Sequence, residues 1–112
     1  MNRGDVVLVT YPNSDVHVAK LRPALIVQAD NLQTEFSQVI LAMITSQTIR
    51  QGHPSRVLIT LDSDVGRQSG LLADSVVMAD NLATVQAWAI DRVIGQLPMT
   101  QINFALRHTL NL

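Results

Sequence analysis

Six short segments rich in valine, isoleucine and leucine recur along the chain, and residues that favour turns separate them. Each segment is five to eight residues long, which suits a β-strand and is too short for an amphipathic helix. The predicted strands are 5–12, 23–29, 38–45, 56–61, 75–79 and 92–97. Short strands with little helix between them predict a mainly β fold, a small barrel or sandwich rather than an alternating α/β sheet.

The C-terminal tail is the segment with a clear helical period. Thr100, a predicted cap, precedes apolar residues that recur at helical spacing on one face, namely Ile102, Ala105, Leu106 and Leu110. Phe104 lies on the opposite face, either as an isolated exposed side chain or as a contact for a partner subunit. Between the strands, 30–37 predicts one short helical turn and 62–70 a turn-rich connection.

The composition limits what kind of protein this is. A chain of 112 residues predicts a single domain over 1–112, and 47% hydrophobic with 15% charged residues is typical of a compact globule. The chain has no cysteine, which excludes disulfides, thiolate zinc sites and a cysteine nucleophile. It shows no signal-peptide pattern and no apolar run of about 20 residues, so we expect a soluble cytoplasmic protein with no membrane partner.

The formal net charge of -1 argues against a broadly basic, nucleic-acid-binding surface, so any phosphate chemistry must be local. Seven of the eight basic residues are arginine, whose planar guanidinium binds phosphate at two points. One of them, Arg22, directly precedes Pro23 at the predicted start of a buried strand. It is either an ordinary charge at a strand end or a cation that the rigid proline holds in place for an anion.

Five motifs, in order, connect the sequence to a known family. They are "RGDVVLV", "RPALIV", "ITSQ", "GLLADSVVMADNLATV" and "RVIGQLPMTQINFALRHTL". In this order and spacing they resemble the MazF/PemK family of toxin endoribonucleases over nearly the whole chain. The resemblance implies an SH3-like β-barrel of the CcdB/PemK type with a C-terminal helix, a homodimer and no cofactor. It also implies cleavage of single-stranded RNA, and a cognate antitoxin whose disordered tail covers the RNA groove.

The resemblance also implies roles for particular residues. Arg22 matches the family's principal catalytic arginine, and Thr45 in "ITSQ" matches its second catalytic position. The RNA's own 2'-hydroxyl is the nucleophile and no metal takes part, so a fixed guanidinium and an oriented hydroxyl stabilise the charge that develops on the phosphate. Thr45 also fits a β-favouring threonine that satisfies a neighbouring backbone group. Ser46 and Gln47 follow it as candidate RNA contacts.

The loop before Arg22 departs from the family pattern. Many members carry Glu-Gln-Gly there, whereas this chain has "DVHVAKL" and retains His17 and Lys20 as candidate catalytic or RNA-binding residues. Histidine in general titrates close to neutral pH and can act as a general base. A lone histidine in a loop is, however, more often simply solvated.

The second half of the chain departs further. Met78 stands where the PemK branch has an arginine, while Asp80 retains the acid of that Arg-x-Asp pair. Asp80 is interpreted as a weak base, a base-recognition group or a residue of the turn at the strand's end. The next family motif, "RTID", reads "LATV" here, so another positive charge is missing. These losses predict altered RNA specificity or modest activity.

Three other interpretations stay open. Asp62 and Asp64 form a carboxylate pair of the kind that holds magnesium, but a Ser/Gly-rich turn without a third acid favours solvated turn residues. A chain with this fold can instead act like CcdB, which poisons DNA gyrase. It can also be a catalytically weakened member that binds only RNA and an antitoxin. His53 and His108 receive no role.

Overall fold

The computed structural model describes residues 1–12, 19–32, 37–49 and 51–112. Six antiparallel strands and two α-helices make up most of this part of the chain. The strands are β1 (Asp5–Pro12), β2 (Ala19–Ile26), β3 (Gln38–Thr45), β4 (Arg56–Ile59), β5 (Ser75–Gln86) and β6 (Ile90–Gln96). The helices are α1 (Asp64–Ser69) and α2 (Thr100–Leu110), and a 3-10 turn, Ala87–Ala89, joins β5 to β6. The predicted mainly β class with a C-terminal helix is confirmed.

The six strands form one sheet in the order β4-β5-β3-β2-β1-β6, which is buried on both faces. On one face, α2 packs its buried residues Ile102, Ala105 and Leu106 into a cluster with Val6 and Leu25. The opposite face carries the alternating residues of the same strands, Val7, Val9, Ala24, Ile26, Leu41 and Met43. Burying each large aliphatic side chain contributes about 1.5–3 kcal/mol, which explains why these strands read as continuous apolar runs in the sequence.

Helix α1 occupies a segment whose sequence predicts only turns, so the prediction for 62–70 is wrong. Ser63 caps the helix, since its hydroxyl accepts the N–H of Gly66 at 2.9 Å, and Gly70 ends it in the left-handed region at φ 73. A helix of six residues is not stable by propensity alone. It is held by packing so close that a Cβ on Gly66 would lie 1.9 Å from the carbonyl oxygen of Thr60.

Strand β5 is longer than predicted and runs through Asp80 and Asn81, two residues that favour turns. The sheet accommodates them as an irregularity in the pairing with β3: Met43 pairs with Met78 but Ala42 pairs with Leu82. The three residues between them on β5, 79–81, therefore have no partner on β3. Such bulges bend a strand and redirect its side chains.

The terminal helix begins at the predicted residue, but its cap differs. Met99 is the N-cap and makes no side-chain capping bond, whereas Thr100 is already helical. Phe104 is 65% exposed, and Leu110 is also exposed. Of the segment 30–37, the structure shows a turn around Asn31, while 33–36 lie outside the described residues. Within the described ranges no helix is long and apolar enough to cross a membrane.

Candidate active site

The strand that carries Arg22 begins earlier than its sequence predicts. β2 starts at Ala19, so Arg22 and Pro23 lie inside the strand rather than at its start. Proline is tolerated there because β3 pairs with β2 only from Ala24 onward. The N–H that Pro23 lacks therefore costs no hydrogen bond of the β2–β3 ladder.

Strands β2 and β3 separate where Arg22 and Thr45 lie. Ala24 and Met43 are the last paired residues, and the same register continued by two residues on each strand places Arg22 opposite Thr45. Each strand remains held on its other side, since β1 pairs with β2 through Arg22 and β5 pairs with β3 through Thr45. The two residues thus lie on opposite walls of a gap whose walls are both fixed.

The gap is part of an open cleft of about 790 Å³. This volume lies within the range of ligand pockets, about 300–1,000 Å³. Five residues named as candidates from the sequence line it together, namely Lys20, Arg22, Thr45, Ser46 and Gln47. The pairing of β2 with β3 is what brings these two separate stretches of sequence to one place.

Other lining residues were not assigned to the cleft from the sequence, and four of them come from other elements. Met78 and Asn81 reach it from β5, Arg92 from β6 and Leu72 from the loop after α1. Asn81 is one of the three residues of β5 that are unmatched on β3, a signal that is visible only in the pairing of the two strands. Arg92 looks like any exposed strand residue in the sequence. Only its position opposite Leu8 of β1 places it beside the cleft.

Within the described part of the chain, the charged side chains that line the cleft are all positive. They are Lys20, Arg22 and Arg92, and none of the aspartates in the described ranges is among the lining residues. Arg22 is exposed, and no carboxylate in the described part of the chain lies within 4.0 Å of its guanidinium. A cleft of one charge sign attracts the opposite charge, so this one is suited to a polyanion even though the whole chain is slightly acidic.

The hydroxyl of Thr45 is held in a defined orientation. Its Oγ1 accepts the backbone N–H of Gln47 at 3.1 Å, and the residue is half-buried at the end of β3. This is the contact expected if Thr45 only satisfied a neighbouring backbone group. It uses the hydroxyl oxygen as an acceptor, however, and leaves the hydroxyl proton unused. The proton of Thr45 remains able to donate to a group bound in the cleft.

Sequence comparison identifies the family. The profile described as "PemK-like, MazF-like toxin of type II toxin-antitoxin system" matches residues 2–110. The chain belongs to this family. No curated protein has a sequence that matches it significantly.

Several solved MazF-type structures share the fold. An endoribonuclease in complex with its cognate antitoxin, from a mycobacterial species, is 23% identical with a TM-score of 0.77 over 100% of this chain and 96% of that chain. An endoribonuclease from a mycobacterial species is 25% identical, with a TM-score of 0.72 over 100% and 92%. MazE-MazF from Deinococcus radiodurans is 17% identical, with a TM-score of 0.70 over 99% and 93%. The MazF-like fold implied by the resemblance is confirmed.

In this MazF-like chain Asp80 lies apart from the lining residues of the cleft. Its carboxylate contacts Arg56 of β4, with Nε 3.0 Å from Oδ1 and Nη2 3.3 Å from Oδ2. Burial raises the pKa of Asp80, but the hydrogen bond and charge of Arg56, with hydrogen bonds from the Asp80 backbone and Ser55, together hold that pKa below its ordinary value. Because β5 continues through Asp80, its interpretation as a strand-end turn residue is wrong.

Replacing Asp80 by asparagine should lower the free energy of unfolding at neutral pH, by no more than about 1 kcal/mol because the pair is partly exposed. The folded-state pKa lies below the ordinary 3.8, so the pair's contribution is present above pH 3.8 and is lost as the pH falls through the lower folded-state value. Urea titrations at pH 7 and at successively lower pH should show the gap between wild type and Asp80→Asn closing in acid. A gap that widens in acid would contradict this assignment.

Of the remaining candidates, those in the described ranges do not line the cleft. His17 lies outside the described residues. Asp64 contacts Arg67 across one turn of α1, and the described ranges hold no group of three or more potential metal ligands. The rings of His53 and His108 lie 6.0 Å apart in an edge-to-face arrangement and do not line the cleft.

Proposed function

We propose that the chain is the toxin of a type II toxin-antitoxin module and cleaves single-stranded mRNA at a short sequence without a metal. The observation that carries the proposal is the position of Arg22 and Thr45 on opposite walls of a cleft whose described charged residues are all positive. Membership of the MazF-like toxin family supports it, as do similar structures described as endoribonucleases. The substrate must be a polyanion that can thread an open cleft, and single-stranded RNA meets both requirements.

The proposed reaction is an internal transesterification. The 2'-oxygen attacks the adjacent phosphorus and the bond to the 5'-oxygen breaks, which leaves a 2',3'-cyclic phosphate and a 5'-hydroxyl. A base takes the proton of the 2'-hydroxyl, and the departing 5'-oxygen receives a proton. Arg22 stabilises the negative charge that grows on the non-bridging oxygens, because a guanidinium stays protonated at neutral pH and serves mainly as a fixed cation.

Thr45 is proposed to donate its hydroxyl proton to a non-bridging oxygen of the same phosphate. Its bond from the Gln47 N–H orients the hydroxyl before substrate binds, so little reorganisation is needed in the transition state. Lys20, Ser46 and Gln47 are exposed around the cleft and are proposed RNA contacts.

The general base has two sequence candidates, His17 and Asp80. The lowered pKa of Asp80 makes its carboxylate a weak base, and Arg56 already engages it outside the cleft. His17 is therefore the proposed base. Met78, which lines the cleft where the PemK branch has an arginine, favours a second candidate function, a weakened member that mainly binds RNA and its antitoxin.

The proposed partners follow from the same cleft. A negatively charged antitoxin segment across Lys20 and Arg22 would exclude RNA, and one similar structure contains a cognate antitoxin. A homodimer is also proposed, with the exposed Phe104 on α2 as a contact. We propose that the chain acts as a single domain in the cytoplasm, where mRNA is available.

Cleavage in the presence of EDTA tests the proposal directly. Purified protein should cut single-stranded RNA with EDTA present and leave a 5'-hydroxyl on the downstream fragment. Sequencing RNA ends after controlled expression should then show breaks at one recurring short sequence. An absolute requirement for magnesium would instead support the carboxylate pair Asp62 and Asp64, and binding without cleavage would support the weakened member.

A further inference from the structure

We propose that Arg92 of β6 binds a second phosphate of the RNA, so that the cleft holds the strand at two points. The inference rests on the proposed ribonuclease function and specifies how the same cleft positions its substrate. Arg22 would hold the phosphate that reacts. Arg92, on the edge strand β6, would hold another phosphate of the same RNA molecule.

Arg92 reaches the cleft through two strand pairings. It lies opposite Leu8 of β1, and Leu8 lies opposite Pro23 of β2. Paired strands are about 4.8 Å apart, so the backbones at Arg92 and Pro23 are separated by about 10 Å. Arg22 adjoins Pro23. Side chains from two backbones this far apart can contact two different phosphates of one RNA molecule.

The two arginines also leave the sheet in different directions. Paired residues of neighbouring strands share a face, so Arg92 lies on the face of Leu8 and Pro23. Successive residues of a strand alternate between faces, which places Arg22 on the other face. Both side chains line the cleft because β2 and β3 have separated there. This arrangement favours two separate phosphates over one shared phosphate.

The present contact of Arg92 is easily exchanged for a phosphate. Its Nη1 donates to Oδ2 of the neighbouring Asp91, and the two side chains are 62% and 42% exposed. An exposed ion pair of this kind is weak and is screened by salt. A guanidinium has five N–H donors, so donors other than those on Nη1 can form a two-point contact with a phosphate.

Other arginines with described side chains serve the fold or lie elsewhere. Arg3 donates to a backbone carbonyl and to an asparagine side chain of α2, and Arg56 is largely buried against Asp80. Arg67 contacts Asp64 on α1 and does not line the cleft. Arg22 and Arg92 are the described arginines that do line it.

Binding of a mixed-sequence single-stranded DNA oligonucleotide tests the proposal, because this probe lacks the 2'-hydroxyl and is not cleaved. Arg92→Ala should weaken binding about tenfold at low salt, as expected for one charge-assisted contact. It should also reduce the slope of log affinity against log salt by about 0.7, the value for one phosphate on a single strand. Arg92→Lys should restore most of the slope, and Asp91→Asn should strengthen binding by removing a competing carboxylate.

Arg67→Ala is the matched control. Arg67 is 60% exposed and contacts an aspartate, as Arg92 does, but it does not line the cleft, so this substitution removes the same charge at a distance from the proposed site. Fluorescence anisotropy across a salt series should show no change in slope for this variant, and neither variant should change the melting temperature. If wild type cleaves RNA but Arg92→Ala and Arg67→Ala have equal slopes, the second phosphate site is rejected alone. If wild type neither binds the oligonucleotide nor cleaves RNA, the proposed function is rejected together with it.

Discussion

Arg22→Ala should lower the rate of RNA cleavage by about 100- to 1,000-fold, while the melting temperature stays at the wild-type value. The expected loss is that of one charge-stabilising donor at a reacting centre, about 3 kcal/mol of barrier. Stability should be unaffected because the side chain is exposed and has no carboxylate within 4.0 Å in the described part of the chain. Initial rates in EDTA with a fixed RNA, together with thermal melting, measure the two effects.

Two companion variants make the result specific. Arg22→Lys keeps the charge but not the planar two-point donor, so it should recover only part of the rate. Thr45→Val should also lower the rate, since it removes the hydroxyl that accepts the Gln47 N–H and is proposed to donate to the phosphate, whereas Thr45→Ser should retain most of it. Cleavage by Arg22→Ala at the wild-type rate would reject the mechanism.

Gly66→Ala should destabilise the protein by about 3 kcal/mol, the upper end of the usual cost of overpacking, although helix propensity predicts the opposite sign. Alanine is favoured over glycine inside a helix by about 1 kcal/mol. In α1, however, the added Cβ would lie 1.9 Å from the carbonyl oxygen of Thr60 and 2.7 Å from its carbon, both backbone atoms that cannot rotate away. Overpacking of this kind costs about 1–3 kcal/mol and sometimes more. Urea titration of the variant against wild type measures the change.

Gly52→Ala is the matched control for this effect, because a Cβ there meets nothing within 4 Å. Its free energy of unfolding should stay within about 0.5 kcal/mol of wild type. Gly66→Ala should also reduce cleavage, since α1 leads directly into Gly70, Leu71, Leu72 and Ala73, which line the cleft. A Gly66→Ala protein as stable as wild type would show that α1 does not pack against the backbone of Thr60 as described.

The strands could be predicted where burial on both faces leaves an unmistakable apolar run. β1 and β3 have the predicted bounds, since Val7, Val9 and Leu41 must be buried wherever the strands pair. The family could also be predicted, because motif order and spacing are properties of the sequence itself, and the profile match over 2–110 confirms it.

Elements held by tertiary contacts could not be predicted. α1 has an unfavourable glycine and is stabilised by close packing at Gly66, which a local pattern cannot contain. β5 passes through Asp80 and Asn81, two turn-favouring residues, because Arg56 of the neighbouring β4 neutralises the acid and the irregular pairing with β3 absorbs the extra residues. Arg56 lies 24 residues from Asp80 in the sequence, and the close approach of Gly66 to Thr60 exists only once the chain has folded back on itself.

For the candidate site, the sequence alone determined which residue types were present and, through the motifs, that Arg22 and Thr45 belong together. Only the tertiary structure decided their placement: β2 and β3 stop pairing at Ala24 and Met43, which opens a gap between them. It also brought Arg92 to the same cleft and turned Asp80 toward Arg56. The physical reason is that strand pairing is non-local, so where a ladder ends depends on neighbours that no local stretch of sequence contains.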